Sequence, residues 1–334
     1  MSKMYNVAVA GATGAVGVEM VKTLEKRNFP VKSLKLLASS RSAGKTTTFR
    51  GEQIVIEELK HDSFKGVDIA LFSAGGDISK EYAKSVVDAG AVMIDNSSAF
   101  RMLDDVPLVI PEVNPEDIKW HKGIIANPNC STIIMLVAVA PLHRAKKLKR
   151  LVAATYQATS GAGAKGMNEL ILQTRQILNG EPIEPKAFAH RIAFNLIPHI
   201  DVFYDNGYTK EELKMLNESR KMLHYPELQV SCTCVRVPVM RAHSEALNLE
   251  FENEITPEEA RRILAAAPGV TVVDDPANKR YPMPVDASEL YNVLVGRIRQ
   301  DISRNDKRGL DIFVSGDQVL KGAALNAVQI AELL

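Results

Sequence analysis

The sequence predicts an α/β fold in two domains, and three observations carry the prediction. The chain has 334 residues, against roughly 150 per domain. Up to about residue 125, short apolar β-branched runs alternate with helical patterns, the mark of βαβ units around a parallel sheet. Beyond that point the strand-like runs lengthen and alternate in polarity between helical segments, as in an α+β domain.

Tyr5–Ala10 (YNVAVA) reads as the first strand, followed at once by glycines. Val16, Met20, Val21 and Leu24 then recur along one face of a helix. Leu34–Ala38, Val67–Ser73 and Ala91–Asp95 read as further strands, with a helix over Ser79–Ala89. In the second half, Lys149–Thr159, Gln229–Val239, Ala246–Glu252, Tyr291–Arg299 and Leu310–Ser315 read as strands. Gly166–Leu178, Thr209–Leu223 and Pro257–Ala266 read as helices between them. Gly322–Leu334 reads as an apolar closing helix able to pack on either domain.

Composition excludes several functions. Forty-one basic and 40 acidic residues leave a net charge of +1, too little for a field that gathers nucleic acid or an anionic membrane surface. The longest apolar stretch, Ile133–Leu142, is about half of what spans a bilayer. Met1–Tyr5 runs straight into the first strand without a signal-peptide core. Cys130, Cys232 and Cys234 are too few for a disulfide framework and lack a metal-site spacing. The expectation is a cytoplasmic protein with reduced thiols and no metal.

Gly11-Ala-Thr13-Gly14-Ala15-Val16-Gly17 lies between the first strand and the first helix, where a dinucleotide loop belongs. Glycines let the backbone turn tightly and approach a pyrophosphate, and the helix N-terminus offers N–H donors. The spacing is GxxGxxG, not GxGxxG, so a ligand-free glycine turn is the plainer alternative. At the end of the second strand, an NAD site usually carries a carboxylate for the ribose. Here stand Ser39, Ser40, Arg41 and Ser42, with Lys45 close behind. Hydroxyls and a cation suit a 2′-phosphate, so NADP is the expected cofactor.

Asn127-Pro-Asn129-Cys130-Ser-Thr precedes the apolar run from Ile133. If that run is a helix, Cys130 stands at its N-terminal end, where the dipole and free N–H groups favour a thiolate. The same N–H groups suit an oxyanion on a carbonyl attacked by sulfur. The plainer alternative is a small buried residue. Cys232 and Cys234 point the same way on a strand and read as core.

Taken together, the GATGAVG loop, the NPNCS segment, Tyr156–Gly163 (YQATSGAG) and Arg236–Glu245 (RVPVMRAHSE) resemble the aspartate-semialdehyde dehydrogenase family, in the family's own order. The resemblance implies a Rossmann-like NADP-binding domain over residues 1–127, with 318–334 returning to it. It implies a catalytic and dimerisation domain over 128–317, resembling the C-terminal domain of glyceraldehyde-3-phosphate dehydrogenase. The implied activity is reduction of L-aspartyl 4-phosphate by NADPH to L-aspartate 4-semialdehyde, feeding lysine, threonine, methionine and isoleucine synthesis. The implied assembly is a homodimer.

The resemblance also implies roles. Cys130 is the nucleophile, His243 the acid/base residue, and Gln157 orients the substrate at the thioester. Arg236 clamps the substrate carboxylate and Glu211 its ammonium. Arg101, Lys214 and Asn129 take the phosphate. The cofactor falls to Gly11, Thr13, Gly14, Ala15, Val16, Ser40, Arg41, Ser160, Gly161 and Gln318. Without the resemblance, Glu211 and Lys214 would read as a solvated i,i+3 ion pair after a capping box at Thr209. Arg236 and His243 have opposite parity and would face apart on one strand, unless Pro238 interrupts it. A reductase of N-acetyl-γ-glutamyl phosphate is the rival enzyme, and a non-catalytic NADP-binding paralogue the rival of another class.

Overall fold

The computed structural model describes residues 3–334, so the first two positions of the Met1–Tyr5 segment lie outside the described residues. Contacts divide the chain into two units, Met1–Asn129 with Ala323–Leu334, and Cys130–Gly322. No helix among the described residues is long and apolar enough to cross a membrane.

The first unit is a seven-stranded sheet built from β1 (Tyr5–Ala10), β2 (Val31–Ala38), β3 (Thr46–Phe49), β4 (Glu52–Glu58), β5 (Ile69–Phe72), β6 (Val92–Asp95) and β7 (Ile124–Ala126). The order is β3-β4-β2-β1-β5-β6-β7, and every pairing is parallel except β3 on β4. The central strand β1 buries Val7, Ala8, Val9 and Ala10 almost completely, as a parallel strand covered on both faces must. Helix α1 (Ala15–Lys26) turns Met20, Val21 and Leu24 into this core, and α2 (Gly76–Asp88) packs on β6.

The β3–β4 hairpin escapes the sequence reading. Its residues, TTTF and EQIVIEE, are largely polar and exposed, as at a sheet edge. Its turn places Arg50 and Gly51 at φ +52° and +82°, the two left-handed positions of a tight hairpin. Gly51 is the usual residue for the second position, but Arg50 at the first carries none of the usual turn chemistry, which weakens the signal.

The second unit is a six-stranded mixed sheet of order β11-β12-β13-β10-β8-β9. Its strands are β8 (Leu148–Gln157), β9 (Gln229–Arg236), β10 (His243–Phe251), β11 (Val270–Val272), β12 (Val293–Gln300) and β13 (Gly309–Gly316). Helices α3 (Cys130–Lys146), α4 (Ala164–Asn179), α5 (Lys210–Met222), α6 (Pro257–Ala265) and the single turn α7 (Pro284–Ala287) complete it. Helix α3 is apolar all round and buried from Ile133 to Ala140, so it is a core helix. Helix α5 begins at the expected capping box, Thr209 with Glu212.

Two ends differ from expectation in a way that matters for the site. Strand β9 stops at Arg236, and β10 starts at His243, ahead of the expected Ala246. The closing segment is one π-helical turn, Leu320–Ala324, followed by α8 (Leu325–Glu332). Helix α8 joins the first unit's core through Ala327, Val328 and Ala331, and Arg27 grips Glu332 with two 2.6 Å hydrogen bonds.

Candidate active site

Strand β8 lies between β9 and β10. It pairs with β9 in parallel, Gln157 opposite Arg236, and with β10 antiparallel, Tyr156 opposite Ser244. Arg236, Gln157 and His243 therefore end three neighbouring strands on one face of the sheet. The parity difficulty disappears because Arg236 and His243 occupy separate strands, divided by the 237–242 connection that holds Pro238.

One residue fixes two of these side chains. The Ala158 N–H donates to His243 Nδ1 at 3.0 Å, and its carbonyl accepts from Arg236 Nη1 at 2.7 Å. Gly161 closes over the same pair. A Cβ on it would sit 2.7 Å from Arg236 Nη1 and 3.3 Å from His243 Nε2. His243 is fully buried, and Nε2 has no hydrogen-bond partner among the described residues. Burial, and then the Arg236 cation, hold its pKa well below the ordinary imidazole value. The ring is neutral near pH 7, and a neutral ring that accepts at Nδ1 carries its proton on Nε2.

Gln157 links this row to α5. Its Nε2 donates to Glu211 Oε1 at 3.1 Å and its Oε1 accepts from Thr155 Oγ1 at 3.0 Å. Lys214 Nζ bonds Glu211 Oε2 at 3.0 Å and Asp201 Oδ2 at 2.8 Å. Glu211 and Lys214 are mostly buried, which removes the solvated-pair reading. Burial opposes the Lys214 charge, but the two carboxylates outweigh it and raise its pKa. Asp201 stands 13 residues before Lys214, beyond any periodicity, and the sequence reading missed it.

Cys130 is the first residue of α3 and is half-buried. Gly322 backs it so closely that a Cβ there would lie 2.9 Å from the Cys130 Cβ. Cys130 also lies within electrostatic reach of Arg236. Cys232 and Cys234, in contrast, are buried core thiols whose pKa values burial pushes up. Ser160 and Gln318, both buried, hydrogen-bond each other.

The first unit carries the remaining expected residues. Gly11, at φ +85°, and Gly17 are required by packing, since a Cβ would meet Ser73 O at 2.3 Å and Gly11 O at 2.1 Å. Gly14 is different: a Cβ there would meet only Gly11 O, at 3.4 Å. That is ordinary contact, so packing alone does not require glycine at Gly14, the N-cap of α1. Thr13, Gly14 and Ala15 are exposed, Val16 is half-buried, and no side chain caps the helix. That cradle fits a dinucleotide pyrophosphate. Ser40 and Arg41 are exposed in a short turn just after β2. Arg101 is buried, with Nε on Asn127 O at 2.9 Å and Nη2 on Asn96 O at 3.0 Å. Asn129 is buried as well. Asn127, which the sequence reading left unassigned, bonds Asn96 Oδ1 at 2.5 Å and accepts from Asn326 Nδ2 at 2.6 Å.

Known proteins match the chain in sequence and fold. Residues 6–121 match the semialdehyde dehydrogenase NAD-binding domain and 139–321 the semialdehyde dehydrogenase dimerisation domain. An aspartate-semialdehyde dehydrogenase of Aquifex aeolicus is 57% identical over 99% of this chain and 98% of its own. Aspartate semialdehyde dehydrogenase II of Vibrio cholerae, solved in complex with ASA, superposes with a TM-score of 0.97 at 48% identity, covering 100% of this chain and 98% of that one. The Candida albicans enzyme, solved with NADP, gives 0.77 at 27% identity, over 99% and 98%. The chain therefore belongs to the aspartate-semialdehyde dehydrogenase family.

Proposed function

We propose that the protein reduces L-aspartyl 4-phosphate to L-aspartate 4-semialdehyde and phosphate with NADPH, through a thioester on Cys130, in the supply of lysine, threonine, methionine and isoleucine. The observation that carries this reading is the row Arg236–Gln157–His243, with Glu211 and Lys214 hydrogen-bonded into it.

Helix α3 directs its N-terminal N–H groups and dipole at Cys130, which favours thiolate at neutral pH. The thiolate, its proton already given to solvent, attacks the acyl carbon; the bond from that carbon to the bridging oxygen breaks, and the departing phosphate takes up a proton from solvent. Lys214, Arg101 and Asn129 hold the phosphate group. Arg236 offers its planar fork to the α-carboxylate, and Glu211 offers a carboxylate to the ammonium. An acetylated substrate would leave the Glu211 carboxylate without that cation, which favours aspartyl phosphate over the N-acetylglutamyl analogue.

NADPH, when bound, supplies the hydride. Gly11, Thr13, Gly14, Ala15 and Val16 would hold its pyrophosphate, Ser40 and Arg41 its 2′-phosphate, and Ser160 and Gly161 its nicotinamide end. His243 donates its Nε2–H to the oxygen that becomes negative at the acyl carbon. That oxyanion then expels the sulfur, giving aldehyde and thiolate, with no net proton taken from the ring. The depressed pKa suits this donor role, since the ring stays neutral throughout.

The family model's dimerisation domain, and the open sheet face where Tyr156 stays 39% exposed beside Phe313, support a homodimer. A cytoplasmic setting suits the reduced cysteines.

The test is the reverse reaction: aspartate semialdehyde, phosphate and NADP, followed as absorbance of reduced nicotinamide. Wild type should turn over and Cys130→Ser should not. Turnover by Cys130→Ser, or turnover only of the N-acetylated glutamate analogue, would overturn the reading.

A further inference from the structure

Gln318 sits in the second unit, two residues after β13 ends at Gly316. It is 3% exposed, and both ends of its amide are occupied. Its Oε1 accepts from the Ala242 N–H at 2.8 Å, and its Nε2 donates to Ser160 Oγ. Ala242 is the residue immediately before His243, and its φ is +70°. A non-glycine residue is held in that left-handed region only by outside contacts. Ser160 leads directly into Gly161, the residue that closes over Arg236 and His243.

The neighbouring residue secures the same turn. Asp317 is fully buried. Its Oδ2 accepts from Arg241 Nε and from the Glu289 N–H, both at 2.6 Å. Its Oδ1 accepts from the N–H groups of Val319 and Leu320, at 2.9 and 3.0 Å. The Asp317 carbonyl accepts from Gly322 N–H at 3.0 Å, and Gly322 is the wall behind Cys130. Residues 317–322 thus touch the strained turn before the histidine at one end and the nucleophile at the other.

We propose that Gln318 is a positioning residue for His243: its amide holds Ala242 in the left-handed conformation and braces the Ser160–Gly161 loop, so that Nε2–H meets the developing oxyanion. This extends the reading of His243 given above and rests on it. It differs from a plain cofactor contact, whose loss would weaken NADP binding and leave the chemistry intact.

The experiment compares wild type, Gln318→Ala and Gln318→Glu in the reverse reaction, each checked for folding by its thermal transition. Gln318→Ala should lower kcat about ten- to hundredfold, the scale of misplacing a reacting group by up to an ångström, with KM for NADP within about twofold. Gln318→Glu keeps an acceptor oxygen for the Ala242 N–H and should recover most of the lost kcat. Aspartate semialdehyde deuterated at the aldehyde carbon supplies a readout that partial unfolding would not move. If hydride transfer has become limiting, the isotope effect on kcat should be larger in Gln318→Ala than in wild type. A kcat within twofold of wild type with a raised KM for NADP would overturn the proposal, as would an unchanged isotope effect in a folded Gln318→Ala. If wild type itself is inactive, or Cys130→Ser is active, the proposed function fails instead, and the two failures are distinct.

Discussion

Gly161→Ala tests the site with one methyl group. Gly161 does not have a left-handed φ, so alanine meets no backbone penalty and the effect is steric. The new Cβ would lie 2.7 Å from Arg236 Nη1, about 0.7 Å short of the 3.4 Å at which ordinary contact begins, and slightly inside contact with the His243 ring at 3.2 and 3.3 Å. The guanidinium cannot swing away freely. Its Nη1 is tied to Ala158 O at 2.7 Å, the Phe188 ring lies 6.0 Å from its Cζ, and the side chain is 7% exposed. A shift of that size, passed to the imidazole through the shared Ala158 anchor, should lower kcat/KM for aspartate semialdehyde about ten- to hundredfold. In free energy that is about 1.4–2.7 kcal/mol of transition-state stabilisation. Overpacking costs typically 1–3 kcal/mol of stability, so a urea transition should accompany the kinetics. A folded variant whose kcat/KM for the aldehyde stays within twofold of wild type would refute the packing argument. A rise confined to KM for NADP would assign Gly161 to the cofactor alone.

Three other outcomes are expected. Glu245 is fully buried with neither carboxylate oxygen hydrogen-bonded among the described residues, and burial holds its pKa well above the ordinary value. The unfolded chain therefore loses this proton at lower pH than the folded one, and stability falls as pH rises from about 4.5 towards the raised folded pKa. Glu245→Met should be more stable than wild type by about 1–3 kcal/mol at pH 8, with a smaller difference at pH 5; urea titrations at both pH values that show no such trend would contradict this. Thr209→Ala removes the cap of α5 and should cost about 1 kcal/mol while raising KM for phosphate, because Lys214 lies in that helix's first turns; an unchanged urea midpoint would count against it. Arg41→Ala should raise KM for NADP at least tenfold, the scale of a hydrogen bond to a charged group, while use of NAD stays level; equal effects on both cofactors would remove Arg41 from the 2′-phosphate site.

Local structure was legible in the sequence wherever one segment carried it. The Gly11–Gly17 loop, the helix start at Cys130 after polar Asn-Pro-Asn, and the Thr209–Glu212 box each depend on residues a few positions apart, and each stands where the pattern placed it. What escaped was set by strand order. Arg236 and His243 share a face only because β8 lies between their strands, and parity along the chain knows nothing of that arrangement. Asp201 and Asp317 escaped for a related reason, because their partners Lys214 and Arg241 stand 13 and 76 residues away. The β3–β4 hairpin was missed because an edge strand need not be apolar, and Arg50 disguises its turn.

The most direct test of covalent catalysis by Cys130 omits phosphate. Enzyme mixed rapidly with aspartate semialdehyde and NADP should release a burst of one reduced nicotinamide per chain. Mass spectrometry of the quenched protein should then find an aspartyl group on the peptide containing Cys130, discharged when phosphate is added. Steady turnover with phosphate but no burst without it, or an acyl group on another residue, would contradict the account.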